Sequence, residues 1–90
     1  LGQRSESMDA VNQALVTSPE NPELFFLKAQ LHRRQEQTDD SIVMFDKALE
    51  YAAQLPPSLA RKIYKEKCRT QGGAHEACGQ EASDFVATLD

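Results

Sequence analysis

Three residues late in the chain have the types and spacing that could do chemistry. Cys68 and Cys78 flank Gly72-Gly73, and His75 lies three positions before Cys78, so on a helix those two share a face. If the glycine pair turns the chain back, Cys68 and Cys78 stand at similar height on facing helices. A disulfide can then close, provided the Cα atoms come within about 7 Å, and an oxidising compartment such as the bacterial periplasm or another secretory space follows. The alternative is two small core thiols in a reducing cytosol. With His75, the sulfurs offer three ligands toward a zinc site, but no fourth ligand and no close cysteine pair accompany them. A cysteine–histidine nucleophile would lack a third, orienting residue. His32, set between Leu31 and Arg33-Arg34, reads as a partly buried structural histidine. The sequence therefore assigns no catalytic residue, no metal and no cofactor.

Charge is the second signal. Ten basic and fourteen acidic residues leave the chain at −4, which argues against nucleic-acid binding. Yet Arg61, Lys62, Lys65, Lys67 and Arg69 crowd into one stretch beside Glu66 alone, while the chain from Gln71 onward has no basic group. The plain reading is a solvated helix face pairing loosely with acidic neighbours. The functional reading is a basic strip that attracts an acidic segment of a partner.

The elements that must position these groups are helices. Ninety residues make one small domain with a thin core, burying about 60–65% of the surface its unfolded form exposes. No apolar run approaches the ~18 residues of a membrane span. The chain opens at Leu1 rather than Met, which reads as an excised or processed piece. Prolines occur only as Pro19 with Pro22 and as Pro56-Pro57, and Gly72-Gly73 makes a further break. Between these marks, apolar residues recur at three- and four-residue spacing, which predicts five helices and no strand. The first runs from about Arg4 to Thr17, capped by Ser5 or Ser7, with a Met8-Val11-Ala14-Leu15 stripe. The second runs from about Pro22 to Gln35 behind an Asn21 cap. It is apolar over a wide arc through Leu24, Phe25, Phe26, Leu27, Ala29 and Leu31, so it should be covered on two sides. The third starts at Asp39 or Asp40 and reaches about Gln54. The fourth follows Pro57 to about Thr70, and the fifth spans about His75 to Leu89, weakened by Gly79.

Shifted by about 34 residues, the chain begins to match itself. Ser7 falls on Ser41, Val11 on Phe45, Ala14 on Ala48, Leu15 on Leu49, Pro22 on Pro56, and Ala48 on Ala82. A period of that length built from two helices resembles the tetratricopeptide repeat family. Residues 20–55 look like one complete repeat: Phe25, Ala29, Phe45 and Ala48 hold residue types usual at their positions, Ser41 is acceptable, and Lys28 and His32 depart. That departure shifts some of the packing to Leu24, Leu27 and Leu31. Residues 1–19 look like the second helix of a partial repeat, and residues 56–90 like a degenerate terminal one.

The resemblance implies an all-α, superhelical stack of antiparallel helix hairpins forming a single domain. It also implies a non-enzymatic role: holding a peptide or partner protein, acidic ones included, on a concave face lined by first helices. The inner residues it points to are Phe26, Gln30, Arg33, Arg34, Arg61, Tyr64 and Lys67. The pattern of family members that grip a terminal carboxylate is met only at Arg61, so that specialised role is not implied. The alternative role is a terminal cap or dimerisation module of a larger repeat protein, with self-association through the first helix.

Overall fold

The computed structural model describes residues 2–89, with side chains from Ser7 onward. It is all-α. Five helices follow one another: α1 (Gly2–Thr17), α2 (Pro22–Arg34), α3 (Thr38–Leu49), α4 (Pro57–Thr70) and α5 (His75–Ala87). A single 3-10 turn, Ala52–Gln54, precedes α4. Among the described residues there is no strand, and no helix is long and apolar enough to cross a membrane.

The start of α2 is written locally. The Asn21 side chain accepts from the Glu23 N–H at 2.9 Å, and Pro22 takes the first helical position, where a missing donor costs nothing. Other ends differ from expectation. Helix α1 is already under way at Gly2, so neither Ser5 nor Ser7 caps it. Helix α3 starts one residue before Asp39, behind Gln37, and both aspartates fall in its first turn, where the helix dipole favours them. It stops at Leu49 rather than Gln54. The chain tightens there into the 3-10 turn, which places Ala52 in the interior beside α4 before Pro56-Pro57 forbid further helix. Helix α5 ends at Ala87, two residues early.

Helices α2 and α4 end in the same way. At α2, Glu36 N–H donates to Arg33 C=O and Gln37 N–H to His32 C=O. At α4, Gly72 N–H donates to Arg69 C=O and Gly73 N–H to Cys68 C=O. This double bond to the last turn requires a left-handed residue. Gly72 adopts that geometry freely at φ +95°, whereas Glu36 adopts it with a side chain at φ 61°.

Packing runs along the chain, α1 on α2, α2 on α3, α3 on α4, and α4 on α5. The tightest approach is between α2 and α3. Ala29 and Ala48 are fully buried, and fully buried Ser41 donates from Oγ to the Ala29 carbonyl at 2.8 Å. Phe45 fills the remaining space against Phe26, ring centroids 6.1 Å apart, and Ile63 of α4 completes the cluster. Contacts 29/41 and 26/45 keep a nearly constant sum of residue numbers, which marks α2 and α3 as antiparallel. Between α2 and α4 the difference is constant instead. Lys62 lies over the Phe26 ring and Glu66 accepts from Gln30, so these helices run side by side in one direction. Helix α1 buries Val11 and half-buries Met8, Ala14 and Leu15, leaving Val16 exposed. Leu27, expected to pack, is 42% exposed, because α1 and α3 together do not close around the full circumference of α2.

The left-handed Glu36 yields the first prediction. Glu36→Gly should raise stability by about 1 kcal/mol, because glycine pays no Cβ penalty there. Gly72→Ala should lower it by a similar amount. Urea unfolding of both variants measures the two changes.

Candidate functional site

The residues singled out by the family resemblance are divided among three surroundings. Phe26 is a core residue, 8% exposed and packed on Phe45; the second helix is covered on that side, so its ring is not available as an apolar grip. Gln30, Arg33 and Arg34 do come together. With Glu66 they line an open depression of about 320 Å³ between α2 and α4. Glu66 organises it, accepting from Gln30 Nε2 at 3.2 Å and standing 3.9 Å from Arg33 Nη1. One carboxylate thus holds the Gln30 amide and stands near the half-exposed Arg33 guanidinium of the neighbouring helix.

Helix α4 distributes its own residues by what surrounds it. Ile63 enters the core, and Lys67 pairs with Asp46 of α3. Tyr64 stacks on Phe85 of α5, centroids 4.7 Å apart. Tyr64 and Lys67, both half-buried, line a separate small depression with Cys68, Gln71 and Glu81 and not the one that Gln30 and Arg33 share. Lys62 and Glu66 face α2. The arc of α4 left open carries Arg61, Lys65 and Arg69, at four-residue spacing. Arg61 meets α5 at a second depression, of about 430 Å³, lined by Ser58, Arg61, Lys62, Lys65, Gly79 and Ser83. The family pattern missed Lys62 and Lys65; the clustering of charge in the sequence contained them.

The cysteines are joined. Cys68 and Cys78 form a disulfide with Cα atoms 5.5 Å apart, so neither sulfur is a thiolate for catalysis or zinc. Among the described residues, no three His, Cys, Asp or Glu side chains gather as a metal site. The Glu81 carboxylate lies 3.2 Å from Cys68 Sγ, a contact rather than a hydrogen bond, since a bridged sulfur has no proton to give. His75 is exposed at the start of α5. His32 is half-buried, its Nδ1 2.7 Å from the Gln37 side-chain oxygen. Away from these groups, partial burial and the Glu20 and Glu50 carboxylates raise the Tyr51 hydroxyl above its ordinary value.

Comparison with protein-family models, with curated proteins and with solved structures finds no match for this chain.

The bridge depends on Gly73. A Cβ at that position would lie 2.6 Å from Cys78 Sγ and 2.7 Å from Cys68 Sγ, well inside van der Waals contact. Reduction of the native chain should cost about 3 kcal/mol, the loop-closure value for so short an interval. Gly73→Ala should destabilise the oxidised chain by about 2 kcal/mol, as other overpacked interiors do, and the reduced chain much less, because free thiols can move aside. Thermal unfolding of both proteins with and without reductant gives the four values. An equal loss in both redox states would place the fault in the turn and not in the bridge.

Proposed function

We propose that the chain is a stack of helix hairpins of tetratricopeptide type that binds a peptide or partner protein and performs no chemistry. In this reading α1 is the second helix of a partial repeat, α2–α3 a complete repeat, and α4–α5 a degenerate one. Two observations support the architecture. The family's small and aromatic positions, Ala29, Ser41, Phe45 and Ala48, together with Ala82 in the last repeat, are all fully buried. Helices α2 and α4, the first helices of successive repeats, run in the same direction, as the side-by-side pairs Phe26/Lys62 and Gln30/Glu66 require.

The observation that carries the function is the depression between those two helices. Its polar side chains stand on two neighbouring helices, and Glu66 orients Gln30 by a hydrogen bond. Pre-orientation lowers the entropy lost when a partner binds, and arginines with amide side chains suit the backbone and carboxylates of a polypeptide. The closed disulfide supports an oxidising compartment, the periplasm among them. Nucleic acid is not the partner we propose, given the net charge of −4.

A second reading, a cap or dimerisation module, is favoured by apolar surface elsewhere. Leu55, Pro57, Val86 and Leu89 line an open depression of about 280 Å³ at the end of the stack. Titrating the labelled chain with mixed peptides and following amide resonances separates the two. Shifts gathered at Gln30, Arg33, Arg34 and Glu66, with unchanged sedimentation mass, are expected for peptide binding. Doubling of mass with shifts at Leu55, Val86 and Leu89 would select the cap.

A further inference from the structure

The open arc of α4 and the depression it shares with α5 have a chemistry of their own. Arg61, Lys62 and Lys65 line the depression, with no carboxylate among its residues, and Arg69 follows Lys65 by four residues on the open arc. Among the described residues, no ion pair neutralises any of these four cations; Lys62 only lies over the Phe26 ring. Four uncompensated cations on a chain of net charge −4 make a local field opposite in sign to the whole. Two hydroxyls, Ser58 and Ser83, stand at the rim as donors.

Gly79 adds an independent observation. A glycine within a helix costs about 1 kcal/mol relative to alanine. Nothing in the fold calls for one here: its φ is not in the left-handed region, and an added Cβ would meet no atom within 4 Å. A side chain at this position would enter the depression that Gly79 lines with Arg61 and Lys65.

We infer that this surface receives an extended, acidic peptide segment whose carboxylates alternate along the chain. The inference rests on the partner-binding reading and adds to it a second surface, distinct from the depression at Gln30 and Arg33, with a partner of stated chemistry. Spacing selects the extended form. Arg61, Lys65 and Arg69 follow one another at four-residue steps, about 6 Å of helix rise each. Side chains on one face of an extended segment recur every second residue, about 6.6 Å apart. Each such carboxylate thus meets one cation in turn, while the Ser58 and Ser83 hydroxyls donate to the segment beside Arg61. A compact single anion would use only one of these steps.

The test uses the oxidised full chain and fluorescence anisotropy. The probes are three labelled peptides of equal length: Glu alternating with Ser, the same composition with Glu and Ser in alternating pairs, which leaves carboxylates only every fourth residue on one face, and Lys alternating with Ser. The alternating acidic peptide should bind tightest and weaken as salt rises. Lys65→Glu and Arg61→Glu should each raise its Kd about tenfold or more. Lys47→Glu, the same charge change on α3, should alter it by less than about twofold. Gly79→Ala should weaken binding by about threefold while raising the thermal midpoint, a combination that a purely structural glycine would not give. Equal binding of the paired and alternating acidic peptides, or indifference to Lys65→Glu, overturns the inference. Binding of the lysine peptide with shifts at Gln30 and Glu66 overturns it while leaving the broader partner-binding reading intact. Absence of binding by any peptide, mixed or defined, removes both.

Discussion

The close approach of α2 to α3 is the constraint from which the rest follows. Two helices can come this near only where side chains are small, and Ala29 facing Ser41 provides that place. The approach would strand the serine hydroxyl in the interior if it had no acceptor. Its bond to the Ala29 carbonyl removes that cost and fixes the register of the pair. With the register set, Phe45 lands against Phe26 and Ala48, and Ile63 of α4 has a surface to enter. A larger side chain at 29 would separate the helices, and the thin core would lose the contact that α4 is built on.

Toward the C-terminus the supply of apolar side chains falls. Helix α5 fully buries only Cys78 and Ala82, too little to hold a hairpin whose second helix contains a glycine. The covalent link between Cys68 and Cys78 and the stacking of Tyr64 on Phe85 take over there. Tyr64 gives one face of its ring to this bracing and stays half-buried beside Lys67, which pairs with Asp46 of α3. The side chains of α4 that take no part in ion pairs or ring stacking include Arg61, Lys65 and Arg69, all cationic.

Local chemistry was the legible part. Asn21-Pro22 announces a helix start and Gly72-Gly73 a turn, because each is decided within a few residues; the interval between the cysteines admits a bridge across that turn but equally two core thiols, and the structure closes the bridge. The apolar periodicity found five helices for the same reason. The facing of α4 was not legible in this way. Its charged residues, three lysines, two arginines and Glu66, are spread around the helix, and the pattern does not say which of them neighbouring helices will cover. That is decided by α2, α3 and α5 together, distant in sequence. The family pattern placed Phe26 and Tyr64 on a groove, while the packing used both rings for burial and bracing. The 3-10 turn at Ala52–Gln54 escaped notice because Ala, Ala and Gln are good helix formers; only the pull of the interior on Ala52 and the prolines beyond end the helix early.

The terminal disulfide also changes what it means for this domain to open. Without it, separation of α5 from α4 would release a free arm that must search for its way back. With it, the start of α5 remains tethered within one turn of its docking place, and any excursion begins at Leu89 and meets a covalent stop at Cys78. Fraying of α5 is thus confined to the stretch beyond the bridge, and its return is an extension from an existing anchor with no new loop to close. In the language of exchange, amide protons of α5 should form a gradient, open at the tail and guarded at the bridge, within a domain whose deepest protection lies at Ala29 and Phe45.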